Sequence, residues 1–126
     1  MKIQTVYLIT KHFDESLEFY RKILDKNESL IMPWGRGEDK VAFFELGNFK
    51  FMLSFEEAYQ SDQPQKTWLE LEHADPDAFL AHLKSQGIEP SETLQKTPAG
   101  SLAFSVRDPD GNTVRIGTSW KIPLGA

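Results

Sequence analysis

Hydrophobic and polar positions alternate along the start of the chain. From Ile3 to Ile9 the residues are mostly β-branched, aromatic or aliphatic, with Val6 and Leu8 on one side and Thr5, Tyr7 and Ile9 on the other, a pattern that predicts a strand. The period then changes. Leu17, Tyr20, Ile23 and Leu24 recur at helical spacing while Glu15, Glu18 and Arg21 point away, and Asp14 is placed to cap the helix. Three apolar runs follow at 29–32, 41–46 and 49–55, parted by Pro33-Trp34-Gly35-Arg36-Gly37 and by Gly47-Asn48. The second of these breaks predicts a tight hairpin.

Residues 57–66 are polar and aperiodic and read as a linker. Beyond them the order repeats: a strand at 67–72, a helix capped by Asp75 with Pro76 at its first position, then strands near Ile88, at 102–106 and at 113–118. The second helix places Phe79, Leu80 and Leu83 on its packing side and ends at Gly87, which suits the residue just past a helix. Both halves therefore read βαβββ. One helix covers only one face of a sheet, so two such halves predict an α+β domain over 1–126 in which a curved mixed sheet surrounds a cleft. Its parts are repeat one at 1–56, the linker at 57–66, repeat two at 67–118 and a tail at 119–126.

Composition narrows the partners. The 126 residues suit one domain, and 40% apolar with 26% charged residues are globular values, so the chain is expected to fold. The formal charge is −5 and Lys and Arg are scattered, which argues against nucleic acid. Cysteine is absent, excluding disulfides, thiolate metal sites and a cysteine nucleophile. The polar-interrupted start has neither a signal-peptide run nor a membrane span, so a cytoplasmic location without membrane contact is expected.

Two segments carry a family resemblance. Ser16-Leu17-Glu18-Phe19-Tyr20, opening the first helix, is similar to the strand-to-helix junction of vicinal oxygen chelate proteins, the superfamily of glyoxalase I, bleomycin resistance proteins and certain dioxygenases. Phe104 to Ile116, with Asp108-Pro109-Asp110-Gly111-Asn112 at its centre, resembles the last hairpin of that family. An Asp-Pro-Asp-Gly-Asn run alone is only a turn, because Pro fixes φ and Gly-Asn tolerates positive φ. Its position, the run at 78–88 and the repeat extend the resemblance over nearly the whole chain.

The resemblance implies up to four metal-ligand places, at the starts of the first and fifth strands and in the fourth and eighth. In this sequence those places hold Thr5, Met52, Trp68 and Arg115. Arg115 stands where the family delivers a metal-binding Glu, and a guanidinium has no lone pair to donate. A slip of one residue would put Val114 or Ile116 there instead, with the same result. His12, His73 and His82 read as surface or structural residues. No cofactor is expected, and in character the chain resembles the metal-free, bleomycin resistance-type members.

Strand parity supplies the binding candidates: Tyr7, Lys50, Met52, Trp68, Glu70, Glu72 and Arg115 share the side opposite the apolar packing residues. Trp34, in its Gly-rich loop, is a further one. Aromatic and thioether walls with a few charges suit a small organic ligand. In the plainer reading Glu70 merely pairs with Arg115 or Lys50. Trp120 in the tail reads as packing on a neighbouring subunit or closing over a ligand, and the resemblance implies a homodimer. The leading expectation is metal-independent binding or sequestration of a small organic molecule. The alternatives are a glyoxalase- or dioxygenase-like enzyme with an atypical active site, for which Glu70 and Tyr7 are the proton-transfer candidates, and an interaction module with a vestigial cleft.

Overall fold

The computed structural model describes residues 1–60 and 67–120. Its elements run β1 (Thr5–Ile9), α1 (Phe13–Ile23), β2 (Leu30–Pro33), β3 (Lys40–Leu46) and β4 (Phe49–Phe55), then β5 (Trp68–Glu72), α2 (Pro76–Ser85), β6 (Glu92–Lys96), β7 (Leu102–Arg107) and β8 (Thr113–Gly117). The chain divides into two compact units, Met1–Pro64 and Gln65–Ala126, each with the βαβββ order. In the linker predicted at 57–66, Glu57–Tyr59 form one 3-10 turn, while 61–66 lie outside the described residues, as does the tail from 121 onward.

Each unit builds its own four-stranded mixed sheet, in the order β1-β4-β3-β2 and β5-β8-β7-β6. The first strand of each unit runs parallel to the last, and the other neighbours are antiparallel. This is the α+β architecture the repeat predicted. Gly47, at φ +60°, allows the two-residue turn that pairs Leu46 with Phe49.

In the first unit α1 buries Leu17, Phe19, Tyr20 and Ile23, and the Tyr20 ring lies 5.0 Å from Phe51 of β4. That contact fixes the helix side of the sheet as the one carrying Val6, Leu8, Phe51, Leu53 and Phe44. In the second unit α2 buries Phe79, Leu80 and Leu83 and packs against β7, while Phe104, Val106, Val114 and Ile116 are buried within the sheet. Burying a side chain of this size contributes roughly 1.5–3 kcal/mol. The alternation read from the sequence is the one the helices select.

Two expectations need correction. The cap of α1 is His12, not Asp14, which sits exposed in the first turn. The reason is Thr10, whose buried Oγ1 accepts the His12 N–H at 3.0 Å and meets Ser16 Oγ at 2.8 Å, so the chain already turns before Asp14. The strand expected near Ile88 begins at Glu92. Ile88 instead closes α2: its N–H donates to the Leu83 carbonyl at 3.0 Å and that of Gly87 to Lys84 at 3.1 Å, the two bonds of a Schellman motif. Asp75 does cap α2, accepting from the Ala78 N–H at 3.1 Å. Among the described residues, no helix is long and apolar enough to cross a membrane.

Candidate functional site

The helix-free side of the second sheet is set out in rows by strand register. One row places Glu70 of β5 beside Arg115 of β8, then Ser105 of β7 and Glu92 of β6; the next places Glu72 beside Gly117, Ala103 and Gln95. Arg115 and Ser105 at the centre of the first row stand next to Gly117 and Ala103, which have little or no side chain, in the second. The result is an open cavity of about 180 Å³ whose walls include Glu70, Glu72, Arg115, Ser101, Thr118 and Trp120.

Gly117 creates that floor. A Cβ there would lie 2.7 Å from Ala103 Cβ and 2.9 Å from the Leu102 carbonyl oxygen, so β7 and β8 approach this closely only because position 117 is glycine.

The charges are organised around Glu70. Arg115 Nη1 donates to Glu70 Oε1 at 3.1 Å, and the Trp120 indole Nε1–H donates to Glu70 Oε2 at 3.3 Å. The Arg115 guanidinium also lies 4.7 Å from the centroid of the Trp68 ring, within cation–π range. Of the sequence candidates, Arg115 thus contacts both Trp68 and Glu70, and Glu72 lines the same cavity. Trp120 joins them as a hydrogen-bond donor within its own chain.

The remaining candidates belong to the first unit. Tyr7, half exposed, donates its hydroxyl to Ser54 Oγ at 3.2 Å, and Ser54 in turn donates to Glu56 Oε2 at 2.9 Å. Met52 is buried beside Tyr7 in register, Trp34 packs edge-on to Phe43 at 6.4 Å, and Lys50 lies at the exposed end of the β3–β4 hairpin. In this unit the row equivalent to Glu70-Arg115-Ser105-Glu92 reads Tyr7-Met52-Phe43-Leu30. The two repeats share a topology and carry opposite chemistry on it.

Sequence reasoning missed Ser101, Ala103, Ser105, Gly117 and the bonding of Trp120. Extending parity to β7 would have found Ala103 and Ser105, since they pair with Gly117 and Arg115. The Asp-Pro-Asp-Gly-Asn segment is a structural turn. The Asp108 carboxylate accepts from the backbone N–H of Asp110 and Asn112 at 3.0 and 2.8 Å and from Asn112 Nδ2 at 2.9 Å, with Gly111 at φ +86°.

Thr5, Met52, Trp68 and Arg115 do not fit a divalent cation. The thioether is soft, the indole nitrogen offers no lone pair, and the guanidinium is itself a cation already lodged on Glu70. Among the described residues no three His, Asp or Glu side chains converge as a ligand group. His73 has a local role, its Nδ1 accepting the Asp75 N–H at 2.9 Å and its ring stacking on Phe79 at 4.6 Å.

A lactoylglutathione lyase from Agrobacterium tumefaciens superposes with a TM-score of 0.73 at 21% identity, over 94% of this chain and 93% of its own. A glyoxalase/bleomycin resistance protein from Catenulispora acidiphila gives 0.67 at 17%, over 94% and 99%. TioX from Micromonospora gives 0.70 at 17%, over 94% and 98%. At such identities the likeness speaks to the fold. No curated protein matches the chain. The family model described as Glyoxalase/Bleomycin resistance protein/Dioxygenase superfamily matches residues 2–116, and the chain belongs to that superfamily.

Proposed function

We propose that this protein binds a small organic molecule without a metal ion, on the helix-free side of its second sheet, in the manner of a bleomycin resistance-type sequestering protein. The observation that carries the reading is the Arg115 guanidinium, held between Glu70 and Trp68 at the place where the family resemblance puts a metal ligand. A fixed cation there repels a second one, and it leaves a cavity walled by an indole, hydroxyls and the Glu72 carboxylate. Glu70 has both oxygens engaged by protein donors, which favours a binding role for it over proton transfer.

A homodimer is part of the proposal. Edge strand β2 leaves Leu30, Ile31 and Met32 at 52%, 43% and 37% exposure, an apolar edge of the kind that a second chain covers. Sedimentation of the purified protein tests this part, with a monomer at all concentrations as the contrary result.

The binding reading is tested by elemental analysis of the purified protein together with a thermal-shift screen against divalent metals and against planar cationic or glycosylated organic compounds. Stabilisation by organic compounds alone is expected, and it should be lost in Glu72→Ala. Stoichiometric zinc, nickel, manganese or iron would sink the reading.

A further inference from the structure

We propose that the second sheet carries an additional binding lobe beside the first, formed by Glu92, Gln95, Thr97, Ser105 and Arg115, which takes a neutral group bearing several hydroxyls. The proposal rests on the reading that this side of the sheet binds an organic molecule, and it extends the site to β6.

The lobe is an open cavity of about 200 Å³ that shares Arg115 and Ala103 with the cavity at Glu70. Arg115 is therefore a common wall. Each cavity alone falls below the roughly 300 Å³ at which pockets hold drug-sized ligands, and the two side by side reach it. A second link joins them: Thr97 Oγ1, bordering the new lobe, lies 2.7 Å from Ser101 Oγ, bordering the old one.

The lobe depends on an irregularity in β6. Residues three apart on a strand ordinarily face opposite sides of the sheet. Here the register shifts between Glu92 and Gln95, so that Glu92 pairs with Ser105 and Gln95 with Ala103, both on the helix-free side. Gln95 Nε2 then donates to Glu92 Oε2 at 3.0 Å. An edge-strand bulge of this kind re-aims side chains, and bulges concentrate beside functional sites.

Charge and geometry define the ligand class. Arg115 is matched by Glu70 and the Glu92 carboxylate accepts from the Gln95 amide, while Lys96 pairs in register with Leu102 on the other side of the sheet, so the lobe presents no unmatched cation and its charged groups are already hydrogen-bonded. A carboxylate, a primary amide and a guanidinium are planar groups with paired donors or acceptors, and Thr97 and Ser105 add hydroxyls. Adjacent hydroxyls on a ring offer a donor and an acceptor at matching spacing. A monosaccharide-like group is the fitting occupant.

The test uses the full chain, isotopically labelled, with methyl β-D-glucopyranoside as the probe and cyclohexanol as the apolar control, read by side-chain amide and Arg Nε resonances. The glucoside should shift the Gln95 amide and Arg115 Nε signals saturably, and cyclohexanol should not. Gln95→Leu, at an exposed edge position, should keep the wild-type melting temperature and weaken glucoside binding about tenfold. No saturable shift, or shifts unchanged in Gln95→Leu, would overturn the lobe. The first cavity reports separately through the thermal-shift screen of organic compounds and its Glu72→Ala control, so either site can fail without the other.

Discussion

Arg115 and Glu70 stand directly opposite each other on β8 and β5, and their side chains meet at 3.1 Å with Trp68 under the guanidinium. Both side chains are about one-third exposed, so the pair organises the site more than it holds the fold. Exposed ion pairs contribute about 0.2–1 kcal/mol. A double-mutant cycle of Arg115→Met and Glu70→Gln should return a coupling of about 0.5 kcal/mol, with the Trp120 indole resonance moving in Glu70→Gln. A coupling above about 2 kcal/mol would mark a desolvated structural pair instead.

Gly117 tests whether the cavity floor is also a packing constraint. An added methyl meets Ala103 Cβ and the Leu102 carbonyl, and backbone cannot yield as a flexible side chain would. Gly117→Ala should destabilise by about 1–3 kcal/mol in urea unfolding. Combining it with Ala103→Gly removes one of the two clashes and should recover part of the loss. Wild-type stability in the single variant would refute the close approach of β7 and β8.

The two helices end alike with different residues. After α1 the N–H of Asp25 donates to Lys22 and that of Lys26 to Arg21, the same Schellman pair that Gly87 and Ile88 make after α2. Asp25 sits at φ +52° and Gly87 at φ +85°, yet only one of them lacks a Cβ. Asp25→Gly should therefore stabilise the protein by about 0.5–1 kcal/mol and Gly87→Ala should destabilise it by about 1 kcal/mol, measured by the same unfolding curves. Removing a Cβ at one positive-φ position and adding one at the equivalent position should act with opposite signs.

What could be read in advance follows from which forces are local. The period of Leu17-Tyr20-Ile23, the Asp75 cap and the Gly47-Asn48 turn are each decided within a few residues, and each sits where the pattern placed it. Ile88 was misplaced because a β-branched residue after Gly87 suits a strand and a Schellman closure equally well, and only the backbone bond to Leu83 decides. Site membership failed in another way. Parity put Glu70 and Arg115 on one face, but Ser101, Ala103 and Gly117 matter for their lack of bulk, which becomes visible only when strand register sets them beside Glu72. The shift in β6 that brings Glu92 and Gln95 to one side leaves no mark in the hydrophobic pattern at all.

Acid should weaken the protein through one ion pair. Arg21 on α1 grips Glu28, in the segment leading to β2, with Nε to Oε2 at 2.8 Å and Nη2 to Oε1 at 2.6 Å. The Glu28 side chain is 13% exposed, and the hydrogen bonds from Arg21 hold its carboxyl below the usual carboxylate range against the opposing effect of burial. Because the folded chain binds that proton less tightly than the unfolded chain, the stabilisation is complete above the ordinary value of 4.5 and fades as pH falls through the lower folded value. Glu28→Gln should accordingly lower stability by about 1 kcal/mol near neutral pH, and the gap to wild type should close in acid. Urea unfolding of both proteins across the acid range measures this. A gap that stays constant or widens as pH falls would mean that Glu28 does not supply the linkage.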